Sequence, residues 1–250
     1  MPNNPSSSSG SSRTTAWFIV GFIVLVTAVV IIAGAMSSGS SSGSQSATNP
    51  NFVATVAPAI TVLDWSQGNP NAAVSVVEYG DFECPACAEY QPLVKQIIQN
   101  NSTTIRFVFR NFPLTSIHPD ANISSQAAEA AGLQGKYWEM HDLLYTKQND
   151  WVTTSPDQVV AKYFDGYAQS LGLDVAKFNT DITSSRVLGK IQTDVAGGTS
   201  AKLDHTPTYF INLKQIPNPT SYSDFQKAID AALASASSAV TTSTATSTAK

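Results

Sequence analysis

Hydrophobic residues in the central part of the chain follow first a strand pattern and then a helix pattern. The segment AAVSVVEY, residues 72–79, is nearly continuously apolar and β-branched, which predicts a strand buried on both faces. A helical pattern follows over residues 84–100, and TIRFVF, residues 104–109, predicts a second strand. Pro85 falls in the first helical turn, where a missing N–H is tolerated, whereas Pro92 is expected to kink the helix. The three segments predict a strand–helix–strand unit.

The middle of the sequence is helical, and the last third returns to a strand. Apolar spacing, N-cap residues and glycines predict helices over 122–133, 136–147, 157–171 and 184–196, with another capped by Asp174 and a break at Gly197-Gly198. The later segments predict a strand at 208–212, a short partner at 214–216 and a closing helix at 223–233. This order predicts an α/β fold that is interrupted by an all-helical insertion at about residues 119–196.

The N-terminal segment has a different pattern. Residues 16–36 are 21 residues without a charge, and a helix of that length spans roughly 30 Å, the apolar core of one bilayer. We therefore predict a single transmembrane anchor at 16–36. The triplet at 33–35, Ala-Gly-Ala, has the form of a cleavage site, so a removed signal peptide is the alternative. Arg13 is the only charge before the span, which places residues 1–15 in the cytoplasm and the rest outside.

Composition divides the remainder of the chain into a linker, a domain and a tail. Residues 37–58 begin as a Ser/Gly-rich linker, and residues 59–234 suffice for one globular domain with its own core. Residues 235–250 are nearly all Ser, Thr and Ala, which predicts a disordered tail. The formal net charge is -4, and no basic patch indicates binding to nucleic acid.

Cys84 and Cys87 are the only cysteines in the chain, and they are three positions apart. A disulfide between them closes so short a loop that it removes little entropy from the unfolded chain, which disfavours a purely structural role. A closed zinc site needs four ligands, and the three histidines are too scattered to supply a second pair. Since export exposes thiols to oxidants, a redox pair without metal or cofactor is the favoured interpretation.

The position of the pair supports redox chemistry. Cys84 begins a helix, where unpaired backbone N–H groups and the positive end of the helix dipole favour a thiolate, the attacking species. Cys87 lies nearly one turn further along. We therefore expect Cys87 to be more buried and to act as the resolving thiol.

The chain resembles the DsbA-family thiol–disulfide oxidoreductases of the thioredoxin superfamily, and is similar to their membrane-tethered bacterial members. The resemblance rests on four segments in the family's order: VEYGDFECPAC (77–87), RFVFRNFPL (106–114), AAEAAGLQGKYWEMHDLLY (127–145) and HTPTYFIN (205–212). It implies a thioredoxin fold with a helical insertion, and a cis peptide between Thr206 and Pro207 facing the cysteines. It also implies contacts with an extended client segment at Pro85, Ala86, Thr206 and Pro207.

Glu78 interrupts the apolar strand six residues before Cys84. The resemblance implies that this acidic residue lies beneath the disulfide and helps to move protons to or from Cys87. A buried carboxyl has a raised pKa, which suits proton transfer near neutral pH. A carboxylate paired with a lysine, or one in water at the end of the sheet, is the alternative.

Departures from the family pattern predict a weaker oxidant than its strongest members. Those members carry a histidine where this chain has Ala86, which offers no side-chain donor to the Cys84 sulfur. Asp81 and Glu83 add negative charge beside Cys84, which opposes thiolate formation. A Cys84 pKa near the lowest known for such pairs, about 3.5, would contradict this expectation. His205 replaces a usual glycine and is interpreted as a loop residue or a local charge.

These observations predict an anchored, extracytoplasmic oxidase. Reduced exported proteins would form a mixed disulfide at Cys84, and a membrane partner would reoxidise the pair, because the chain has no other cysteine. We expect a monomer, since no added dimerisation domain is evident. A disulfide reductase or isomerase with the same fold is one alternative, and a non-enzymatic client-binding module is another.

Overall fold

The computed structural model of the chain describes residues 53–247. The predicted cytoplasmic segment 1–15, the predicted anchor 16–36 and most of the predicted linker lie outside these residues. Among the helices between residues 53 and 247, none combines the length and the apolar character that a membrane crossing requires.

A mixed sheet forms the centre of the described domain. Its strands are β1 (Trp65–Gly68), β2 (Val74–Gly80), β3 (Ile105–Asn111), β4 (Thr208–Ile211) and β5 (Lys214–Gln215), in the order β1-β3-β2-β4-β5. The central strands β2 and β3 are parallel, and all other pairs are antiparallel. The predicted burial of β2 on both faces is confirmed, since six of its seven residues are buried.

Helices connect and cover the strands. They are α1 (Pro85–Asn100), α2 (Ala121–Gly132), α3 (Tyr137–Thr146), α4 (Gln148–Trp151), α5 (Pro156–Val159), α6 (Asp165–Ser170), α7 (Val175–Ile182), α8 (Ser185–Ser200) and α9 (Tyr222–Ser247). The crossover α1 links the parallel strands β2 and β3. Helices α2 to α8 lie between β3 and β4 in the chain, so the predicted α/β fold with a helical insertion is confirmed.

The two faces of β2 have different partners. Val74 and Val76 belong to a large apolar cluster that includes side chains of α1, α2, α3 and α9. Val77 and Tyr79 point to the opposite face and belong to a smaller cluster with Phe112. Because Glu78 alternates with Val77 and Tyr79, its carboxyl faces the larger cluster, which also contains both cysteines.

The domain begins earlier than predicted. Val56 forms a bridge with Lys214 of β5, and the Ala57 N–H donates to the Leu213 carbonyl at 2.8 Å. The buried Arg110 guanidinium donates to the carbonyls of Pro58 and Ala59, each at 2.9 Å. The predicted linker boundary at residue 58 is therefore wrong, because an edge strand and a buried cation both take hydrogen-bond partners from residues 55–59.

Three further segments differ from the sequence predictions. Helix α8 continues through Gly197-Gly198. The glycines are needed for close packing, since a Cβ on Gly198 would lie 2.5 Å from the Phe112 ring.

The predicted helix 157–171 contains a π-helical stretch, Val160–Phe164, which nothing in the structure explains. Residues 235–247, predicted as a disordered tail, continue α9. Alanine favours a helix, and hydroxyls such as that of Ser235 bond to the carbonyl four residues earlier.

Candidate active site

A sharp turn after β2 places Cys84 at the start of α1. The Cys84 N–H donates to the Asp81 carbonyl at 3.1 Å, and Cys84 is the N-cap of the helix with extended backbone angles, φ -66° and ψ 119°. Pro85 occupies the first turn, as predicted, where no N–H is needed. Pro92 lies inside α1. The sequence therefore positions the Cys84 sulfur among the free N–H groups of the first turn.

The environment of Cys84 favours its thiolate. The Cys84 Sγ lies 3.5 Å from the Thr206 carbonyl oxygen, and only 7% of the residue is exposed. The pKa of Cys84 is lowered to about 5, chiefly by a hydrogen bond from the Cys87 thiol, while burial opposes this effect. The Thr206 side chain and the backbone N–H groups of Cys87 and Ala86 lower the pKa further, whereas the Thr206 carbonyl can only accept from the protonated thiol. Ala86 thus contributes through its backbone although its side chain has no donor.

This pKa predicts the pH at which the thiolate appears. In the reduced protein, the ultraviolet absorbance of the thiolate should rise with a midpoint near pH 5, and Cys84→Ser should remove that transition. The control is Cys87→Ala, which keeps Cys84 but removes the thiol that donates to it, and should therefore move the midpoint upwards. A single transition near pH 8 to 9 in the unaltered protein would contradict the assignment.

Cys87 is the opposite kind of thiol. It lies on the buried side of α1 and is 1% exposed, as the sequence predicted. Burial is the main cause that raises the pKa of Cys87 well above its usual value, and the charges of Cys84 and Glu78 add to it. At neutral pH the pair therefore consists of an ionised Cys84 and a protonated Cys87. Attack by Cys87 requires a base that takes its proton.

Glu78 lies in the buried core below the cysteines. It is 2% exposed, and in the sheet it stands opposite Phe109 of β3 and Tyr209 of β4. Burial raises the pKa of Glu78 to about 8, against a smaller lowering effect of Tyr209. Among residues 53–247 no lysine or arginine pairs with Glu78, so neither alternative, a lysine pair or a solvated carboxylate, is found.

The segment before β4 closes the site from the other side. The peptide between Thr206 and Pro207 is cis, which confirms the geometry that the family resemblance implied. The Pro207 carbonyl accepts a hydrogen bond from the Asn218 side chain at 2.7 Å. Pro85 is exposed and Ala86 is half-buried. The structure thus brings all seven predicted site residues to one place, with the cis peptide beside Cys84 and Glu78 beneath Cys87.

A family model described as "Thioredoxin" matches residues 61–231, well over half of the chain. The chain belongs to the thioredoxin family. Within the part that the structure describes, no cluster of three or more potential metal ligands accompanies this thioredoxin site.

Solved structures share the fold of this thioredoxin. BdbD from Bacillus subtilis, in its oxidised form, matches with a TM-score of 0.62 and 22% identity, over 72% of this chain and 98% of that one. Wolbachia pipientis alpha-DsbA1 matches with a TM-score of 0.63 and 17% identity, over 72% of this chain and 96% of that one. These structures show that the chain shares their fold, and the family match independently identifies it as a thioredoxin.

Curated relatives are much longer proteins. The chain is 42% identical over 149 residues to the Na(+)/H(+) antiporter NhaA 1 of Salinispora arenicola, and 37% identical over 173 residues to NhaA 3 of Salinispora tropica. These matches cover 60% and 69% of this chain but only 22% and 25% of the relatives. The chain thus spans about a quarter of their length, and antiport is the named activity of those whole proteins.

Gln148 is a site residue that the sequence analysis missed. It is buried at the start of α4, and its Nε2 donates to the carbonyls of Phe82 at 2.8 Å and Cys84 at 3.0 Å. The side chain therefore ties the helical insertion to the active-site turn of the thioredoxin unit. No local pattern indicates this contact, because Gln148 lies 64 positions after Cys84.

Loss of the two Gln148 hydrogen bonds should destabilise the domain. Gln148→Leu leaves the buried Phe82 carbonyl without its side-chain donor, and we expect a loss of about 1–3 kcal/mol in the free energy of unfolding. Urea unfolding of the reduced protein measures the loss. The matched control is Gln96→Leu on the exposed side of α1, which should change stability by less than about 0.5 kcal/mol. Equal effects of the two variants would contradict the role of Gln148.

The acidic residues before Cys84 do not act as the sequence suggested. The Asp81 carboxylate accepts hydrogen bonds from the Leu114 N–H at 2.9 Å, and it contacts the His118 ring at 2.7 Å. Glu83 accepts a hydrogen bond from the Asp120 N–H, and burial raises the pKa of Glu83 to about 7. Both carboxyls are thus directed to the β3–α2 connection, and neither is a leading cause of the Cys84 pKa.

His205 occupies the loop before the cis peptide. Its ring contacts the Asp204 carboxylate at 2.6 Å, and both side chains are largely exposed. The His205 carbonyl accepts a hydrogen bond from the Thr208 hydroxyl at 2.9 Å. These contacts favour the interpretation of His205 as a loop residue.

Proposed function

We propose that this protein is an extracytoplasmic dithiol oxidase that introduces disulfides into exported proteins. The observation that carries the proposal is the lowered pKa of Cys84, about 5, next to a Cys87 with a raised pKa. A thiolate exists only in the reduced protein, so its stabilisation favours the reduced form. A pair that prefers to be reduced passes its disulfide to other thiols.

Two electrons pass from the client to the protein. Of the two protons that the client thiols lose, the equivalent of one ends on Cys87 and one stays in solvent. A client thiolate attacks the Cys84 sulfur of the Cys84–Cys87 disulfide, and Cys87 leaves as a thiolate that takes a proton from Glu78. A second client thiolate attacks the client sulfur of the mixed disulfide and releases Cys84 as a thiolate. The client gains a disulfide, and the protein keeps the two electrons. Glu78 then recovers a proton from solvent.

Clients would lie along the surface beside the cis peptide. The Thr206 backbone next to Cys84 offers polar groups to an extended segment, and exposed Pro85 and half-buried Ala86 border the same sulfur. We assign client contacts to Pro85, Ala86, Thr206 and Pro207. Contact through the main chain suits many unrelated client sequences.

Location and partners follow from the same proposal. An anchor at residues 16–36 would hold the domain on the extracytoplasmic side, where thiols are oxidised. The protein acts as a monomer, and a membrane protein reoxidises it after each client, since Cys84 and Cys87 are the only cysteines of the chain.

The assay uses the oxidised protein and a reduced peptide with two cysteines. We expect one peptide disulfide per protein, with simultaneous reduction of Cys84–Cys87, measured by mass after alkylation. The parallel assay supplies dithiothreitol and insulin, and slow insulin reduction together with fast peptide oxidation supports the oxidase. Fast insulin reduction with no peptide oxidation would favour a reductase. Client binding that is unchanged in Cys84→Ser, without any exchange in the unaltered protein, would favour a binding module.

A further inference from the structure

Three buried polar atoms of residues that interact electrostatically with Cys87 have no hydrogen-bond partner among residues 53–247. They are the Glu78 Oε2 and the hydroxyl oxygens of Tyr145 and Tyr209. Unpaired buried polar groups are rare in folded proteins, and each one calls for a specific explanation. Their position next to a redox cysteine indicates a role in its chemistry.

Tyr209 faces Glu78 directly. The two residues are register partners of the antiparallel strands β2 and β4, and opposite side chains in such a pair lie on the same face with Cβ atoms about 5 Å apart. The Tyr209 ring is fully buried and is fixed by Phe225 at 5.2 Å and Tyr90 at 5.8 Å between ring centroids. Its hydroxyl is therefore held near the carboxyl.

Tyr145 approaches from the helical insertion. A Cβ placed on Gly80 would lie 3.0 Å from the Tyr145 hydroxyl, so this hydroxyl sits directly above Gly80. Gly80 is two residues after Glu78 and lies on the same face of β2. Burial raises the pKa of Tyr145 well above its usual value, and the charges of Cys87 and Glu78 add to this effect, as expected for neighbours. The Tyr145 hydroxyl thus lies over the same face of β2 as Glu78, and Tyr209 stands opposite Glu78 in the sheet.

No cation competes with these hydroxyls among residues 53–247. The groups that interact with Glu78 are Phe109 of β3, Tyr209 of β4, the thiols of Cys84 and Cys87, and Tyr145 and Tyr137 of α3. None of the ion pairs among the described residues includes Glu78. An ionised Glu78 therefore depends on neutral donors.

We propose that the hydroxyls of Tyr145 and Tyr209 donate hydrogen bonds to the Glu78 carboxylate and act as positioning residues for proton transfer to Cys87. The proposal deepens the proposed function and rests on its reaction. When Cys87 leaves the disulfide as a thiolate, Glu78 gives it a proton and becomes a carboxylate in the core. The two O–H groups turn towards that carboxylate and hold it until a new proton arrives.

The protonation state explains the unpaired atoms. With a pKa of about 8, Glu78 is mainly protonated at neutral pH, and a neutral carboxyl requires fewer donors than a carboxylate. The donors are needed only in the brief ionised state. Hydrogen bonds to the charged form lower the pKa of an acid, so loss of either hydroxyl raises the pKa of Glu78.

The decisive experiment titrates the Glu78 carboxyl by carbon-13 NMR in the reduced protein, with its signal assigned from the spectrum of Glu78→Gln. We expect Tyr209→Phe and Tyr145→Phe each to raise the midpoint by about one pH unit, since each removes one hydrogen bond to a charged group. The control is Tyr167→Phe, which removes an unpaired buried hydroxyl next to Phe164, at 6.1 Å between ring centroids, and not next to Glu78. It should move the midpoint by less than half as much. Equal changes in all three variants, or none, would overturn the proposal.

A kinetic experiment distinguishes a positioning role of the tyrosine hydroxyls from a simple effect on packing. The pH profile of peptide oxidation should move upwards in Tyr209→Phe, and the same change should have no further effect in a Glu78→Gln background. An additive effect in that background would contradict the role. The NMR titration reads the carboxyl itself, so a protein that titrates as expected but oxidises no peptide would refute the proposed function and leave this inference intact.

Discussion

Cys84→Ser will abolish thiol–disulfide exchange, whereas Cys87→Ser will leave the protein joined to its first partner. At pH 7 a Cys84 with a pKa of about 5 is almost fully ionised, while the raised pKa of Cys87 keeps that thiol protonated. Only Cys84 also approaches the surface, next to the Thr206 carbonyl. We expect the rates at which the two single-cysteine variants attack a disulfide to differ by at least about 100-fold.

The experiment mixes each reduced variant with oxidised glutathione and follows the intact mass. Cys87→Ser should gain one glutathione and stop, because no resolving thiol remains, and Cys84→Ser should gain none in the same time. Ser125→Ala, at a buried position in α2, is the control for a small change in the core and should behave as the unaltered protein does. Equal labelling of both cysteine variants would contradict the division of roles.

Glu78→Gln should make the protein more stable and slower. A carboxyl whose pKa rises from about 4.5 in the unfolded chain to about 8 in the fold loses stability as the pH rises between these values, because the unfolded chain ionises first. A difference of one between the pKa values of the folded and unfolded chain corresponds to roughly 1.4 kcal/mol of stability. The substitution should therefore stabilise the reduced protein by a few kcal/mol at pH 8 and by much less at pH 5.

The same substitution, Glu78→Gln, should lower the reaction rate. Without a proton donor near Cys87, the oxidation of a dithiol peptide should slow by a factor on the order of 100 at pH 7. Urea unfolding at pH 5 and 8, with the rate measured in parallel, tests both effects. Glu89→Gln, the same change on the exposed side of α1, should alter neither quantity. A variant of Glu78 that gains no stability between pH 5 and 8, or that keeps its rate, would contradict the account.

Local sequence patterns were sufficient for the elements that carry the cysteines. The apolar run that ends in Gly80, the first-turn Pro85 and the spacing of Cys84 and Cys87 each have a short-range physical reason, and the structure has the corresponding strand, turn and helix. Family resemblance added the cis peptide at Pro207, because a proline before a strand does not by itself fix the isomer.

Contacts between distant segments were not predictable in this way. Gln148, Tyr145 and Tyr209 reach the site from elements far along the chain, and polar or aromatic side chains in helices and strands give no local signal of their partners. The two glycines at 197 and 198 show the opposite error. Helix propensity predicted a break, whereas close packing of Gly197 against Tyr79 and of Gly198 against Phe112 requires small residues there. Tertiary contacts decided all of these positions.

The reduction potential of the Cys84–Cys87 couple tests the central claim most directly. The purified protein is equilibrated with glutathione buffers of known ratio, and the fraction reduced is read by alkylation and mass. A potential between about -120 and -180 mV is predicted, because the stabilised Cys84 thiolate favours the reduced form and makes the protein a donor of disulfides. A potential near -270 mV would contradict the account and identify the protein as a reductase.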